Sequence, residues 1–477
     1  MSGALPAPCD RGLAEAGRDG GGAAHPRLVL ATCVLASSLA FIDGSVLNIA
    51  LPAIRESFGA TTAEVQWVMN AFTLPLSALL LIGGAAGDLY GRRRTMLWGI
   101  VLFTAASLLC GFAPSLEIFL IGRALQGIGA AMLMPNSLAI LGAAFEGETR
   151  GKAVGTWAAV GAAAGAVAPL LGGWLIELSG WPLIFLINLP IGAAAILLGW
   201  SYVPESQNEA RPAPDWPGAL LATLGLGALT WGLTQWSAGG LFGAAEIATI
   251  GGGILFLLLF LWAERRRGPQ AMVPLDLFGS RAFVGLTVFT FLLYGALAGL
   301  MLLLPYTLID GAGYTPVEAG LAVLPFPILV AAGSPLMGKL AGRIGPRWPL
   351  TIGPALVAVG YALGARIDES GSYLTHVLPP ILLVSAGMAI AVAPLTTAVL
   401  SAVDAHHVGT ASGLNSAVSR AGGLIVVALL GAVLSLQGAN LIAGLHDAAW
   451  IGAALALASA AIALLTLGKV RPAPGTG

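Results

Sequence analysis

The chain contains fourteen apolar runs of about 20 residues, the length an α-helix needs to cross the hydrocarbon core of a membrane. Only 9% of the 477 residues are charged, whereas a soluble protein carries roughly a quarter. Because so few charges cannot solvate a surface of this size, lipid must replace water around most of the chain. The sequence therefore predicts an all-α integral membrane protein, with spans near 28–52, 63–86, 95–113, 116–140, 153–176, 182–202, 217–237, 243–263, 282–308, 317–340, 348–366, 375–400, 408–434 and 444–467.

The positions of Lys and Arg support this number of spans. An even number places both termini on one side of the membrane, and eighteen of the 22 basic residues then lie on that side. Two, Arg55 and Arg366, lie on the other side, and Arg123 and Arg420 lie inside spans. An excess of Lys and Arg marks the cytoplasmic side of a membrane protein. We therefore expect both termini to be cytoplasmic.

Two polar connections, 203–216 and 264–281, bracket the seventh and eighth spans. They divide the chain into six helices, two helices and six helices. The predicted organisation is a disordered cytoplasmic tail, a six-helix bundle, a linker with two extra helices, a second six-helix bundle and a short cytoplasmic tail, with bounds 1–26, 27–202, 203–281, 282–467 and 468–477.

A short repeat relates the two halves. The stretch GAAGDLYGRR (84–93) follows the second span, and GKLAGRIGPR (338–347) follows the tenth. The glycines at 84 and 91 align with those at 338 and 345, and Arg93 aligns with Arg347. Pairs of related six-helix halves are a recurrent design of membrane transporters.

Asp88 lies in the first copy of this repeat, at the predicted C-terminal end of a helix. A carboxylate there faces the negative end of the helix dipole and needs a positive partner. Arg92 or Arg93 could supply it, as could the N-terminus of a helix from the other half. A contact that forms in one conformation and breaks in another would act as a latch. The alternative is that Arg92–Arg94 only set the topology and that Asp88 is solvated.

Asp43 is the carboxylate that lies deepest inside a span, and Arg123 is its natural partner. Asp43 is 12 residues from Arg55 and Arg123 is 8 residues from Ser115, so their depths are roughly 18 and 12 Å and differ by about one helical turn. The two side chains could meet directly or through Gln126 and water. Buried ions in membranes are usually paired and functional.

Several roles are open for Asp43: it could carry a proton, bind a cationic substrate, do both by competition, or form a purely structural ion pair with Arg123. Asn48 and Asn136 are polar positions of the same two spans, and we assign them to the same pathway. Arg420 in the thirteenth span could snorkel towards the cytoplasm or serve the pathway.

The fifth span has small residues at intervals of four: Gly161, Gly165, Pro169 and Gly173. This spacing leaves one helix face nearly bare, which permits close helix packing. A proline inside a helix also allows bending. A tight, kinked contact on this face could serve as a pivot between the two halves.

Six stretches resemble signatures of the fourteen-helix drug:proton antiporters of the major facilitator superfamily. The match covers nearly the whole chain. It departs at Ala168, where the family pattern has glycine, and at Gly342, where the second repeat would have aspartate. The matching stretches are FIDGSVLNIALPAI (41–54), GAAGDLYGRR (84–93), RALQGIGAAMLMP (123–135), GAVAPLLGGWL (165–175), FLINLPIG (185–192) and GTASGLNSAVSRAGG (409–423).

The resemblance implies a major facilitator fold of two six-helix bundles with a two-helix insertion. It also implies secondary active export of lipophilic or cationic small molecules by proton antiport with alternating access. An exporter of a single metabolite on the same fold is the alternative. Carried onto this sequence, the resemblance implies gating by Gly84, Asp88, Gly91, Arg92 and Arg93, an antiporter motif at Gly161, Gly165, Pro169, Gly172 and Gly173, and second-half positions Asn415, Arg420 and Arg347.

The expected partners are a small-molecule substrate, protons and the lipid bilayer of the bacterial cytoplasmic (inner) membrane. We expect a monomer to function, with accessory periplasmic components as an open addition. The net charge of −1 gives no reason to expect a nucleic-acid partner. The sequence shows no metal-ligand cluster, no nucleophile–base constellation and no nucleotide-binding GxxxxGK[ST] loop, so we expect neither an enzyme nor a cofactor.

The topology gives the first testable prediction. Reporter fusions at residues 208 and 272 should both report the cytoplasm, because both lie in connections on the side rich in Lys and Arg. A periplasmic signal at either position would contradict the number of spans.

Overall fold

The computed structural model describes residues 25–145, 147–206, 215–239, 243–268, 271, 273–368, 372–403, 408–437 and 439–468. The predictions for nearly all of both tails and for most of the connection 203–216 lie outside these ranges. At the N-terminal boundary, the described residues differ from the prediction by one position: Pro26, which was assigned to the tail, is the first residue of the first helix.

A helix stands at each of the fourteen predicted positions. The sixth is interrupted at Ile187, the tenth at Leu324, and the thirteenth is followed by one further turn, Gly431–Leu434. The helices are α1 (Pro26–Phe58), α2 (Thr62–Tyr90), α3 (Arg92–Gly111), α4 (Leu116–Ala144), α5 (Gly147–Ser179), α6 (Leu183–Tyr202), α7 (Trp216–Gly239), α8 (Ala244–Arg267), α9 (Arg281–Asp310), α10 (Pro316–Ile344), α11 (Arg347–Gly364), α12 (Leu378–Ser401), α13 (Val408–Leu429) and α14 (Ala439–Thr466).

Among the described residues, thirteen helices are long and apolar enough to cross a membrane. The exception is α11, which has 18 residues and begins with Arg347 and Trp348. It still packs against α12 and α14, and its length of about 27 Å is close to the thickness of the hydrocarbon core. Several helices extend beyond their predicted spans, because apolarity detects the part in lipid and not the polar turns that continue into water.

The helices form two bundles. In the first, α2 and α3 pack against α4, and α1 packs against α5. In the second, α11 packs against α12 and α14, and α9 packs against α13 and α14. We call the end of the molecule that carries Arg92–Arg94 and Arg265–Arg267 the arginine-rich end, and the opposite end the arginine-poor end.

The inserted helices α7 and α8 pack against each other, and α7 contacts both bundles. On one side it meets α2, where the rings of Trp67 and Trp231 lie 5.4 Å apart. On the other it meets α13, where the Ser237 hydroxyl donates to the Ala428 carbonyl at 2.6 Å. In contrast, α8 is almost wholly exposed along its apolar length, as expected for a helix that faces lipid.

Polar groups fasten the arginine-rich end of the insertion. The fully buried Glu264 accepts a hydrogen bond from the Val273 N–H at 2.5 Å. Asp215 accepts one from the Gly218 N–H at 2.8 Å and pairs with Arg267 at 3.0 Å. The connection to α9 is therefore tied to α8 as it leaves the insertion.

The internal repeat extends over a whole helix. Both α2 and α10 begin with a capping box, formed by Thr61 and Glu64 in the first half and by Thr315 and Glu318 in the second. Both end at a glycine with positive φ, which favours a residue without Cβ: 108° at Gly91 and 83° at Gly345. The same start and stop signals therefore define corresponding helices in the two bundles.

Candidate transport site

The structure brings Asp43 of α1 and Arg123 of α4 into direct contact. The Arg123 Nη1 donates to Asp43 Oδ2 at 2.6 Å and to Gln126 Oε1 at 2.7 Å. Each charged side chain is 1% exposed and Gln126 is fully buried. The side chains thus meet directly, with Gln126 as a second partner.

The rest of the first bundle completes this pair. The amide of Gln126 donates to Asp43 Oδ1 at 3.3 Å and to the Ser107 hydroxyl of α3 at 2.8 Å. The same hydroxyl accepts from Asn188 of α6 at 3.2 Å. Arg123 Nε donates to the Val68 carbonyl of α2 at 3.3 Å. Five helices therefore contribute to one buried polar network.

Aromatic rings surround the guanidinium of this network. Arg123 Cζ lies 4.6 Å from the ring centre of Phe72 and 5.7 Å from that of Phe185. The faces of these rings attract a cation while they exclude water. If Asp43 lost its charge, the Arg123 guanidinium would therefore have few other groups to pair with.

The two asparagines assigned to the same pathway lie apart from this network. Asn136 donates to the carbonyls of Gly83 and Met132 at 2.8 and 2.7 Å, so it joins α2 to α4. Asn48 is half-buried, and its Oδ1 has no hydrogen-bond partner among the described residues.

The arginine-rich end holds the predicted gating residues. Asp88 Oδ1 accepts from Arg92 Nε and Nη2 at 2.9 and 2.8 Å, so its partner is one turn away in the same bundle. Of the two partners considered for Asp88, the structure therefore shows the local arginine. The contact is partly exposed, because the side chains of Asp88 and Arg92 keep 25% and 19% of their surfaces accessible.

Glu205, which follows α6, organises the start of α3. Three arginines stand there, at the positive end of the helix dipole, which is unfavourable for cations. The Glu205 carboxylate accepts from the backbone N–H groups of Arg93 and Arg94 at 3.0 and 3.3 Å. It thereby supplies both the missing cap and a compensating charge.

The gating glycines differ in what they contact. A Cβ on Gly91 would lie 2.7 Å from the Glu205 carboxyl carbon. A Cβ on Gly87 would meet the Asn136 amide oxygen at 1.6 Å, whereas the nearest atom to one on Gly84 is a Pro135 carbon at 3.6 Å. A side chain at Gly87 or Gly91 would therefore displace Asn136 or Glu205, whereas Gly84 has room for one.

The antiporter-motif residues of α5 face two different neighbours. Gly161, Gly165 and Gly172 lie against α1, at Phe41, Ser45 and Val46 respectively. Gly173 instead lies against the backbone of α10: a Cβ there would be 2.6 Å from the Pro316 carbonyl oxygen. Pro169 makes the reciprocal contact, because its carbonyl oxygen would be 2.7 Å from a Cβ on Gly320. The predicted close approach of helices therefore joins the two bundles.

Side chains reinforce this junction at the arginine-poor end. Arg55 Nη1 of α1 donates to the Tyr306 hydroxyl of α9. Glu177 of α5 accepts from the Val317 N–H, at the start of α10, at 3.3 Å. Gln66 of α2 donates to the Val427 and Ala428 carbonyls of α13 at 2.5 and 3.1 Å. The two bundles are therefore closed against each other at the arginine-poor end.

The second-half residues have separate environments. Asn415 Oδ1 accepts from the Thr290 hydroxyl of α9 at 2.7 Å. Arg420 Nη2 lies 3.7 Å from Met134 Sδ of the first bundle. Arg347 Nη2 donates to the Leu464 carbonyl at 2.9 Å, near the end of α14, and its counterpart Arg93 donates to the Val203 carbonyl, just after α6. The repeated arginines thus bind equivalent places in the two bundles.

Glu205, Tyr306 and the pair Ser107–Asn188 were not predicted as site residues. The partners of Glu205 and Tyr306 are more than 100 residues distant along the chain. A usable signal existed for Glu205, because a helix that begins with three arginines needs an acidic partner.

A sequence profile of the Major Facilitator Superfamily matches residues 33–427. The multidrug resistance protein Stp of Mycobacterium tuberculosis (strain CDC 1551 / Oshkosh) is 36% identical over 409 residues, which cover 86% of this chain and 76% of that protein. The cephamycin export protein CmcT of Amycolatopsis lactamdurans is 34% identical and covers 88% and 87%. The puromycin resistance protein pur8 of Streptomyces alboniger is 36% identical and covers 85% and 81%.

Solved structures support the fold. The POT family transporter PepTSo matches with a TM-score of 0.70 at 16% identity, over 92% of this chain and 97% of that one. A bacterial homologue of the human lysosomal transporter Spinster, in an inward-facing and unoccupied conformation, matches with a TM-score of 0.65 at 17% identity, over 94% and 98%.

The contrast between two gating glycines is testable. Gly91→Ala should lower stability by about 1–2 kcal/mol, because it adds a Cβ at positive φ, and it should also displace Glu205. Gly84→Ala has room and should resemble the wild type. Unfolding temperature and transport rate of the purified variants would measure both effects. Equal behaviour of the two variants would contradict this account of Gly91.

Proposed function

Because this chain belongs to the major facilitator superfamily, we propose that it is a secondary active exporter of lipophilic or cationic small molecules that exchanges them for protons. The pathway lies between the two six-helix bundles, and the two bundles move against each other to give alternating access. Relatives that include multidrug resistance and puromycin resistance proteins support this proposal. Like the family, the chain is a transporter, and we expect no enzymatic activity.

The observation that carries proton coupling is the buried pair of Asp43 and Arg123. The two charges compensate each other only while the guanidinium stays at hydrogen-bond distance from the carboxylate. A modest change in their separation would therefore remove that compensation. When Asp43 takes up a proton, its attraction to Arg123 weakens, and Arg123 keeps Gln126 and the Val68 carbonyl as acceptors. Because five helices hold the network, protonation at one atom can change the packing of the whole first bundle.

The conformation fits one state of such a cycle. We propose that the arginine-rich end is cytoplasmic, in the bacterial cytoplasmic (inner) membrane, with both termini on that side. The closed arginine-poor end then makes this state inward-facing. Asp88, held here by Arg92, is proposed to exchange that partner for one on the second bundle when the arginine-rich end closes. We expect the monomer to be the functional unit.

A narrow-specificity exporter of one metabolite is the second candidate. It is favoured by relatives whose names mention a single compound, such as the cephamycin export protein. Growth of an efflux-deficient host that expresses the protein, tested on a panel of unrelated toxic compounds, separates the two. Protection against several unrelated compounds supports broad export, and protection against one class or none supports the narrow candidate.

The second prediction for this site concerns Asp43. Asp43→Asn mimics the permanently protonated acid and should abolish export driven by a proton gradient while the protein remains folded. The measurement is proton release from purified protein when substrate is added, and dye export from proteoliposomes under an imposed gradient. Asp447→Asn, which changes an exposed carboxylate of α14, is the matched control and should behave as wild type. Equal proton release from Asp43→Asn and wild type would place the coupling proton elsewhere.

The latch gives a separate prediction. Asp88→Asn should insert and fold but slow transport severely, because the amide cannot form an ion pair with a partner in either conformation. Substrate binding to purified protein should change little. Normal transport by a well-expressed Asp88→Asn variant would show that Asp88 is not a latch and that Arg92–Arg94 only set the topology.

A further inference from the structure

Arg420 stands deep in the membrane between the two bundles. It lies 12 residues from the start of α13, so roughly 18 Å along the helix axis from the arginine-rich end of that helix. At that depth the side chain cannot reach the headgroup region of the arginine-rich end, which argues against the snorkelling alternative. α13 packs against α2 of the first bundle, and the guanidinium points to Met134 on α4.

The contacts of Arg420 do not compensate its charge. Nη2 faces the Met134 thioether, a weak acceptor, and Nε is buried without a hydrogen-bond partner. Among the described residues no carboxylate forms an ion pair with it. Arg123, at a similar depth, has Asp43, Gln126 and a backbone carbonyl.

Three candidate acceptors, on Asn415, Asp88 and Asp43, already have partners. Asn415, one to two turns earlier on the same helix, accepts from Thr290, and Asp88 accepts from Arg92. Asp43 is balanced by Arg123. The interface between the bundles therefore carries one positive charge that the described side chains leave unbalanced, where an unpaired charge is costly.

Arg420 is also more accessible than Arg123. It is partly exposed, whereas Arg123 is sealed inside the first bundle with 1% exposure. A molecule in the proposed pathway could therefore reach the Arg420 guanidinium without the first bundle unfolding around it. The planar guanidinium fork matches a carboxylate through two parallel hydrogen bonds.

We propose that Arg420 binds a carboxylate of the transported molecule, so that the pathway accepts lipophilic acids and zwitterions as well as neutral and cationic compounds. This inference rests on the proposed function, because it takes the space between the bundles as the substrate pathway. It assigns the two intramembrane arginines different roles: Arg123 balances the negative charge of the proton-binding acid Asp43, and Arg420 balances the negative charge of the substrate.

The test uses two probes that differ only in charge, 1-pyrenebutyrate and its uncharged amide. Binding to purified protein in detergent is measured by fluorescence for wild type, Arg420→Gln and Arg420→Lys. Loss of a charge-assisted hydrogen bond should weaken binding of the acid by about tenfold or more in Arg420→Gln. The amide should bind within about twofold of wild type, and Arg420→Lys should restore part of the preference for the acid.

Arg366→Gln is the matched control, because it removes an exposed second-half arginine that follows α11 and has no assigned role in the site. It should leave the preference for the acid unchanged. Equal weakening of acid and amide in Arg420→Gln would show a structural role, and unchanged binding of the acid would exclude the site. Either result overturns the proposal.

Binding in detergent needs no gradient, so failure of this proposal is distinguishable from failure of the proposed function. Proton-driven export of ethidium by wild-type proteoliposomes tests the export function alone. Export of ethidium with no acid preference at Arg420 rejects only the carboxylate site. An acid preference without any gradient-driven export rejects antiport and leaves the binding site standing.

Discussion

A charge inside a lipid bilayer must be compensated by the protein itself, and the pair of Asp43 and Arg123 shows what this requires. Moving either ion from water into an apolar interior costs several kcal/mol. A partner ion at hydrogen-bond distance is needed to offset this cost. Here the partner distance is 2.6 Å, and side chains or carbonyls from α2, α3, α4 and α6 complete the arrangement. Five helices of the first bundle therefore meet at the groups that compensate one buried carboxylate.

The fold was largely predictable because its main signals are local. Each apolar run identifies a helix, and the bias of Lys and Arg fixes the parity of the count. The seventh predicted span, 217–237, for example, corresponds to a helix over Trp216–Gly239. The helix α11 shows the limit of the signal: its arginine and prolines reduce its apolarity although it is packed like its neighbours. The short repeat found in the sequence also understated the relation between the two halves. Their capping boxes and turn glycines recur as well, but few of the residues around these positions are identical, so the sequence does not reveal the match.

The site was predictable only where one residue implies another. A deep carboxylate needs a cation, so the contact of Asp43 with Arg123 could be anticipated from depth alone. Glu205 and Tyr306 could not be assigned to their partners, because those contacts depend on how distant helices are placed side by side. Asn136 was assigned to the pathway because it shares a span with Arg123; the hydrogen bonds of its amide to two backbone carbonyls, which join α2 to α4, could not be read from that position.

The insertion has a consequence for the route by which molecules enter. The two bundles meet along two lateral seams that face the bilayer, one between α2 and α13 and one between α5 and α10. Helix α7 lies across the first seam and contacts both of its walls, with α8 outside it. Lipid tails are therefore kept from that seam, and a molecule dissolved in the membrane meets a shielded side and an unshielded side. The two extra helices therefore make the outer surface of a nearly symmetric pair of bundles asymmetric towards the lipid.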